Sequence, residues 1–152
     1  MEKQMIIFNT IKIKAPATQV WDALVNPEKT KIYMFGCETV SDWKQGSELL
    51  WRAHYEGNDV DFVKGKIVII EPGKKLVYTT FDPLSTMDDK PENYLRVTYE
   101  LKENNDETEL AVTQDGYDNA AEGERRFEEA WNNGEGWNPI LVEIKKLVES
   151  MR

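Results

Sequence analysis

The chain has 152 residues, of which 40% are hydrophobic and 11% aromatic, and it carries a formal net charge of -9. This length and composition predict a single domain, residues 1–152, with a core that needs no metal or disulfide to hold it together. Such a negative surface repels phosphate groups, so we expect neither nucleic acid nor an anionic membrane face as a partner. Because Cys37 is the only cysteine, the sequence excludes a disulfide framework and a paired-cysteine metal or redox site.

No apolar run in the sequence has the length of a targeting or membrane-spanning segment. The run at Met1–Phe8 is too short for a signal peptide. Nowhere does the sequence approach the roughly 20 consecutive apolar residues that cross a bilayer. We therefore expect a cytoplasmic protein that does not insert into membranes.

The first predicted elements are one strand and two short helices. Residues Met5–Lys14 alternate between apolar and polar side chains, which is typical of a half-buried strand. A helix is predicted after Pro16, and it ends before Pro27, because a residue that precedes proline avoids the helical conformation. A second short helix is predicted at Glu28–Phe35, closed by Gly36.

From Cys37 onward the pattern predicts strands. They are Cys37–Ser41, Ser47–Tyr55, Val60–Glu71, Lys75–Phe81, Tyr94–Leu101 and Glu107–Gln114. Short turns such as Glu56–Asp59 and Pro72-Gly73 join neighbouring strands, which therefore pair in antiparallel fashion. Gly65 predicts a bulge or bend that curls the sheet. Residues Asp82–Pro91 are predicted to form the longest irregular connection.

The last thirty residues, Glu122–Met151, predict a long amphipathic helix. Its apolar residues recur three or four positions apart and form one stripe: Phe127, Ala130, Trp131, Gly134, Trp137, Leu141, Ile144, Leu147, Val148 and Met151. The predicted sheet is the surface that can cover this stripe. Glycine and proline interrupt the helix between Asn132 and Pro139, so we expect a break or kink there. The fold class is α+β, with about six to seven antiparallel strands and a long C-terminal helix.

Several short motifs, taken in this order, resemble one protein family. They are Ile13–Pro16 before Val20–Leu24, then Asn26–Glu28, Ser41–Ser47, Glu71–Thr79, Pro91–Tyr94, Thr108–Leu110, and Gly136-Trp137 before Leu141 and Lys145–Leu147. The chain is similar in these motifs to the START-like (SRPBCC) superfamily, and more closely to the small bacterial homologues of the heat-shock chaperone ATPase activator. The resemblance implies the helix-grip fold, in which a curved antiparallel sheet wraps around the C-terminal helix, often with a cavity between them. It does not imply one function, because relatives include lipid and hormone binders, aromatic cyclases and co-chaperone domains.

Aromatic side chains predict a site for an apolar ligand between the sheet and the C-terminal helix. The candidate ligand-binding residues are Tyr33, Phe35, Trp51, Tyr55, Tyr78, Phe127 and Trp131. We expect Tyr33 and Phe35 at the mouth of this site. Aromatic walls with a few hydroxyl groups suit flat or apolar molecules. The alternative is that the same side chains interdigitate as an ordinary close-packed core.

The titratable residues do not form a familiar catalytic or metal site. The single histidine, His54, lies on the strand face opposite Trp51 and has no nearby serine or cysteine nucleophile in the sequence. The acidic residues of Asp82–Glu92 lack the spacing of a calcium loop. Arg52 and Arg96 lie in strands, where an inward arginine would need a carboxylate partner. We expect no catalytic residue, cofactor or metal.

Three functions remain open from the sequence. The first is the binding of a small apolar or aromatic molecule, and the sequence favours this function over enzyme activity. The second, suggested by the resemblance, is stimulation of a heat-shock chaperone ATPase in a stress response, through an exposed face of the sheet. The third is a cyclase- or hydrolase-like enzyme that uses the same cavity, with an inward Arg52 or Tyr78 polarising a carbonyl group.

Overall fold

The computed structural model describes residues 5–150. Within this range the elements in chain order are β1 (Ile7–Ile13), α1 (Ala17–Val25), α2 (Pro27–Tyr33), β2 (Glu38–Ser41), β3 (Glu48–Tyr55), β4 (Asn58–Glu71), β5 (Lys75–Thr80), β6 (Leu95–Asn104), β7 (Glu107–Asp115), α3 (Gly123–Trp131) and α4 (Asn138–Ser150). Met151, the last residue of the predicted apolar stripe, lies outside the described residues. The α+β fold, with two short helices after the first strand, is confirmed.

The strands form a single antiparallel sheet. Across residues 5–150 the order of its seven strands is β1-β7-β6-β5-β4-β3-β2, so β1 and β2 are the two edges. Two-residue turns connect β3 to β4 and β6 to β7. The turn residues Glu56, Gly57, Asn105 and Asp106 all have positive φ, which is the turn geometry that matches the twist of a hairpin. The predicted antiparallel pairing is confirmed.

The sheet changes register where β4 crosses its neighbours. Its pairing with β3 shifts directly after Trp51, and its pairing with β5 shifts within Ile67–Ile69. Gly65 lies between these two irregularities, where a Cβ atom would be 1.6 Å from the carbonyl oxygen of Thr79. The register shifts therefore flank the predicted position, and Gly65 itself permits the two backbones to approach closely. Bulges of this kind bend a strand and increase the twist of a sheet.

The inner face of the sheet and α4 share the core. The residues that are almost fully buried include Ile13, Tyr99, Leu110 and Val112 of the sheet and Leu141, Ile144 and Val148 of α4. α4 lies against β1 and against α1. Within residues 5–150, the helices are too short or too polar for any of them to cross a membrane.

The C-terminal helix is broken where the sequence predicts it. α3 ends at Trp131, and the next two residues, Asn132 and Asn133, adopt left-handed conformations with φ of 47° and 55°. α4 begins at Asn138. Asparagine tolerates this conformation better than most other residues, because its short amide can hydrogen-bond locally. The break changes the direction of the chain before α4 packs on the sheet.

Asn9 of β1 fixes the segment between α3 and α4 to the sheet. Its Oδ1 accepts a hydrogen bond from the Trp137 backbone N–H at 2.9 Å, and its Nδ2 donates to the Glu135 carbonyl oxygen at 3.3 Å. Gly136 lies directly against it, with φ of 52°, and a Cβ atom there would be 2.5 Å from Asn9 Oδ1. Only glycine fits this contact without strain. The side chain of Trp137 is thereby held beside the inner face of the sheet.

Candidate ligand-binding site

A cavity of about 630 Å³ lies between the sheet, the turn from α2 to β2, and the broken C-terminal helix. The sheet lines it with Trp51, Phe62, Val63, Tyr78, Thr80, Val97 and Gln114. The α2–β2 turn adds Met34, Phe35 and Cys37, and the C-terminal segment adds Glu129, Ala130, Asn132, Gly136, Trp137, Pro139 and Ile140. This volume and the mainly apolar lining are typical of small-molecule sites.

A row of aromatic rings runs along the inner face of the sheet to the break in the helix. The ring centroids of Trp51 and Tyr78 are 6.1 Å apart, those of Tyr78 and Tyr99 are 5.6 Å apart, and those of Tyr99 and Trp137 are 6.0 Å apart. These separations lie in the range in which aromatic pairs attract each other. Trp51, Tyr78 and Trp137 of this row form an aromatic wall of the cavity, and Tyr99 is fully buried among them.

The two tyrosine hydroxyl groups in this row bond to each other. The hydroxyl oxygens of Tyr78 and Tyr99 are 2.9 Å apart. Burial raises the pKa of both phenols, because the charged form is disfavoured away from water. Both groups therefore stay neutral at physiological pH and provide no charge for catalysis or for binding an ion.

Gln114 and Trp137 add a polar pair to the cavity. The indole N–H of Trp137 donates to Oε1 of Gln114 at 2.9 Å. Gln114 is at the end of β7, on the strand face that also carries the buried residues Leu110 and Val112. Gln114 is therefore a polar residue on an otherwise apolar face of β7.

Phe35 lies at the mouth of the cavity in an unfavourable backbone conformation. It is 85% exposed and has a φ of 53°. A bulky residue is uncommon in this left-handed region, because its Cβ atom crowds the backbone. Such strain often occurs at functional positions. Nearby Cys37 is buried, and burial raises the pKa of its thiol, so it contributes a neutral apolar group to the lining.

Three of the seven predicted ligand-binding residues line the cavity, namely Phe35, Trp51 and Tyr78. Tyr33 is buried, and its hydroxyl donates to the Ala23 carbonyl oxygen at 2.8 Å. Tyr55 is at the end of β3 and is 60% exposed. Neither of these two tyrosines is part of the lining.

Phe127 and Trp131 belong to a different aromatic cluster under α3. Their rings stack with centroids 5.8 Å apart, and Phe127 also packs edge-on against Tyr117 at 5.5 Å. The side of α3 that lines the cavity carries Glu129 and Ala130 instead. Because the helix breaks directly after Trp131, the predicted stripe is divided between two packing surfaces.

The other fourteen lining residues were not among the sequence candidates, and they include Thr80, Val97, Gln114 and Trp137. Strand alternation places Val97 and Gln114 on the inner face of the sheet, so the alternation in the sequence could have identified both as candidates. Trp137 was part of the predicted stripe, but its position depends on the geometry of the break. Local patterns do not specify that geometry.

His54 and Arg52 each contact an aspartate outside the cavity. His54 Nδ1 is 3.0 Å from Asp59 Oδ1, and both side chains are mostly exposed. Arg52 donates to Asp61 through Nε at 2.7 Å, so its charge is paired outside the cavity. Among residues 5–150, no group of three or more His, Cys, Asp or Glu side chains could hold a metal ion.

The antiparallel sheet that packs around a C-terminal helix, with two short helices after its first strand, defines the helix-grip class of α+β proteins. Residues 14–149 match the family model described as "Activator of Hsp90 ATPase homolog 1-like protein". The chain belongs to this family, and the resemblance predicted from the sequence motifs is confirmed.

Solved structures support the same assignment. The protein ChR145 from Cytophaga hutchinsonii is 36% identical, with a TM-score of 0.73, and the match covers 99% of this chain and 98% of that one. Protein NE0264 from Nitrosomonas europaea is 18% identical, with a TM-score of 0.72 over 99% and 98%. The Aha1 dimer from Colwellia psychrerythraea is 17% identical, with a TM-score of 0.67 over 95% and 96%. The last two resemblances support the fold alone. A comparison with curated proteins gave no match.

Proposed function

We propose that this protein binds a small apolar or aromatic molecule in the cavity between its sheet and its C-terminal helix, and that it performs no chemistry on it. The observation that carries the proposal is the cavity of about 630 Å³ with its aromatic wall. Protein interiors are normally close-packed. Trp51, Tyr78 and Trp137 border this space although each side chain is itself mostly buried, and a ligand would add apolar contacts to the parts of the lining that remain uncovered.

The chain keeps this space from closing. Asn9 and Gly136 fix the backbone between α3 and α4 to β1, and Pro139 lies at the start of α4, where proline is compatible with a helix. α3 and α4 are therefore not one continuous helix that could pack along the whole sheet. The backbone break between α3 and α4 therefore supports a lasting opening at this point.

The affinity expected for a single aromatic group in such a site is modest. Its burial removes about 150–250 Å² from water, which is worth about 4–6 kcal/mol at about 25 cal/mol per Å². That gain corresponds to a Kd of about 0.05–1 mM before the cost of immobilisation, so tighter binding requires a molecule with two or more rings. The hydroxyl of Tyr78, the one tyrosine named in the lining, is hydrogen-bonded to that of Tyr99, which supports binding without reaction.

Native mass spectrometry of the protein purified from cells, before and after extraction with organic solvent, tests the proposal. We expect a defined additional mass that extraction removes, because an apolar molecule partitions from the cavity into the organic solvent. If the protein retains its bare mass even after incubation with a range of aromatic compounds, the proposal is contradicted. Extracted protein should regain mass when such a compound is added back.

Stimulation of a chaperone ATPase is the second candidate, and the description of the family is the observation that favours it. This activity would use an exposed face of the molecule rather than the cavity. If the ATPase rate of the cognate chaperone does not change when this protein is added, this second candidate function is excluded.

A further inference from the structure

The hydrogen bond from Trp137 determines how the Gln114 amide is oriented. An indole N–H can only donate, so the atom that faces it must be an acceptor. The side-chain oxygen of Gln114 therefore points to Trp137, at 2.9 Å. Its NH2 group necessarily points away from the indole. This assignment rests on the chemistry of the two groups, which a flipped amide would violate.

The NH2 group of Gln114 has two N–H donors, and no acceptor within residues 5–150 bonds to them. Among the described residues, the one hydrogen bond of this side chain is the bond it accepts from Trp137. The amide nitrogen has no hydrogen-bond partner among the described residues, yet it is not one of their buried unpaired polar atoms, so it is accessible. Gln114 also lines the cavity. An unused donor beside an aromatic wall is suited to an acceptor oxygen on a ligand.

The lining offers no positive charge to an anionic ligand. Among the described residues that line the cavity, none is Lys, Arg or His, and the only acidic one is Glu129. Its carboxylate accepts a hydrogen bond from Arg125 Nη1 at 2.7 Å. A carboxylate or sulfonate moved into this cavity would lose its hydration without gaining an ion pair. The net charge of -9 opposes its approach as well.

We propose that Gln114, oriented by Trp137, selects the ligand by donating an N–H to a carbonyl oxygen of an uncharged aromatic molecule, and that the cavity rejects aromatic carboxylates. This inference rests on the proposed function and deepens it. Gln114 is the residue that determines specificity, and Trp137 is the residue that positions it.

Three probes with the same ring system separate the contributions: 2-acetylnaphthalene, 2-ethylnaphthalene and 2-naphthoate. Equilibrium dialysis at neutral pH gives a Kd for each. We expect the acetyl compound to bind about fivefold more tightly than the ethyl compound, since a net hydrogen bond is worth about a factor of two to ten. We expect naphthoate, which is ionised, to bind at least about tenfold more weakly than either neutral probe.

The variant Gln114→Met removes the donor and keeps the length of the side chain. We expect it to abolish the preference for the acetyl compound over the ethyl compound. The ratio of the two Kd values is the measured quantity, because the loss of the acceptor for the Trp137 indole affects both probes alike. Trp137→Phe should reduce the same preference, because the amide is then free to turn.

Each part of the inference can fail separately. An acetyl-to-ethyl preference that is absent in the natural protein, or unchanged by Gln114→Met, would overturn the role of Gln114 while leaving the proposed function standing. Tight binding of naphthoate would overturn the rejection of anions. Failure to bind any of the three probes would count against the proposed function itself.

Discussion

Replacing Ala130 with tryptophan is expected to weaken the binding of 2-acetylnaphthalene by about 100-fold. Ala130 lines the cavity from α3, and an indole at this position would occupy the space that the ligand needs. If the ligand loses half of the roughly 4–6 kcal/mol that its aromatic contacts supply, a loss of this size follows, since each 1.4 kcal/mol is about tenfold in Kd. Equilibrium dialysis measures the effect directly.

The matched control for this variant is Glu124→Trp. Glu124 is an exposed residue of the same helix, near its start, so the control adds the same side chain without entering the cavity. We expect its affinity to equal that of the natural protein. Equal affinities in both tryptophan variants, with circular dichroism spectra like that of the natural protein, would place the ligand outside this cavity.

Replacing Gly65 with alanine is expected to lower the free energy of unfolding by about 3 kcal/mol or more. The new methyl group would be 1.6 Å from the Thr79 carbonyl oxygen, so β4 and β5 would have to separate. Overpacking costs about 1–3 kcal/mol where side chains can adjust. Here the new methyl group meets backbone atoms, which cannot move aside as a side chain does, so the cost lies at or above the top of that range. For a chain of this size, such a loss lowers Tm by about 6–12 °C. Thermal unfolding monitored by circular dichroism measures it.

The control is Lys66→Ala, the adjacent exposed position on β4. A surface substitution of this kind changes stability by about 0.5 kcal/mol or less. The backbone N–H of Lys66, which donates to Thr79 Oγ1 at 2.9 Å, remains in this variant. If Gly65→Ala unfolds at the same temperature as Lys66→Ala, then the close approach of β4 to β5 does not contribute to stability. Because Tyr78 and Thr80 of β5 line the cavity, we also expect Gly65→Ala to bind more weakly.

The fold could be predicted from the sequence because its signals are local. Alternation in β3 and β7, the turns at Glu56–Gly57 and Asn105–Asp106, and the proline and glycine residues around Gly134–Pro139 each determine the backbone within a few residues. Hairpins between neighbouring strands then leave few arrangements of the sheet. The break in the C-terminal helix was predictable for the same reason.

The lining of the cavity was less predictable, because it depends on how elements pack after the break. Trp131 and Trp137 both belong to one helical stripe in the sequence, yet Trp131 stacks on Phe127 whereas Trp137 reaches Gln114. The left-handed residues Asn132 and Asn133 rotate one half of the stripe relative to the other. Helical periodicity cannot specify that rotation.

Tyr55 illustrates a second limit of sequence patterns. It shares a strand face with Trp51, but it is the last residue of β3 and is 60% exposed. Parity identifies the face of a strand. It does not say how far along the strand that face remains covered.

The most direct test of the account is the response of the five tryptophan indole N–H groups to 2-acetylnaphthalene in a proton–nitrogen NMR correlation spectrum. Single Trp→Phe variants assign the five signals. We predict that the signals of Trp51 and Trp137, which line the cavity, shift on titration, and that those of Trp21 and Trp43, which do not, stay in place. Shifts of Trp21 or Trp43 with unchanged Trp51 and Trp137 signals would contradict binding between the sheet and the C-terminal helix.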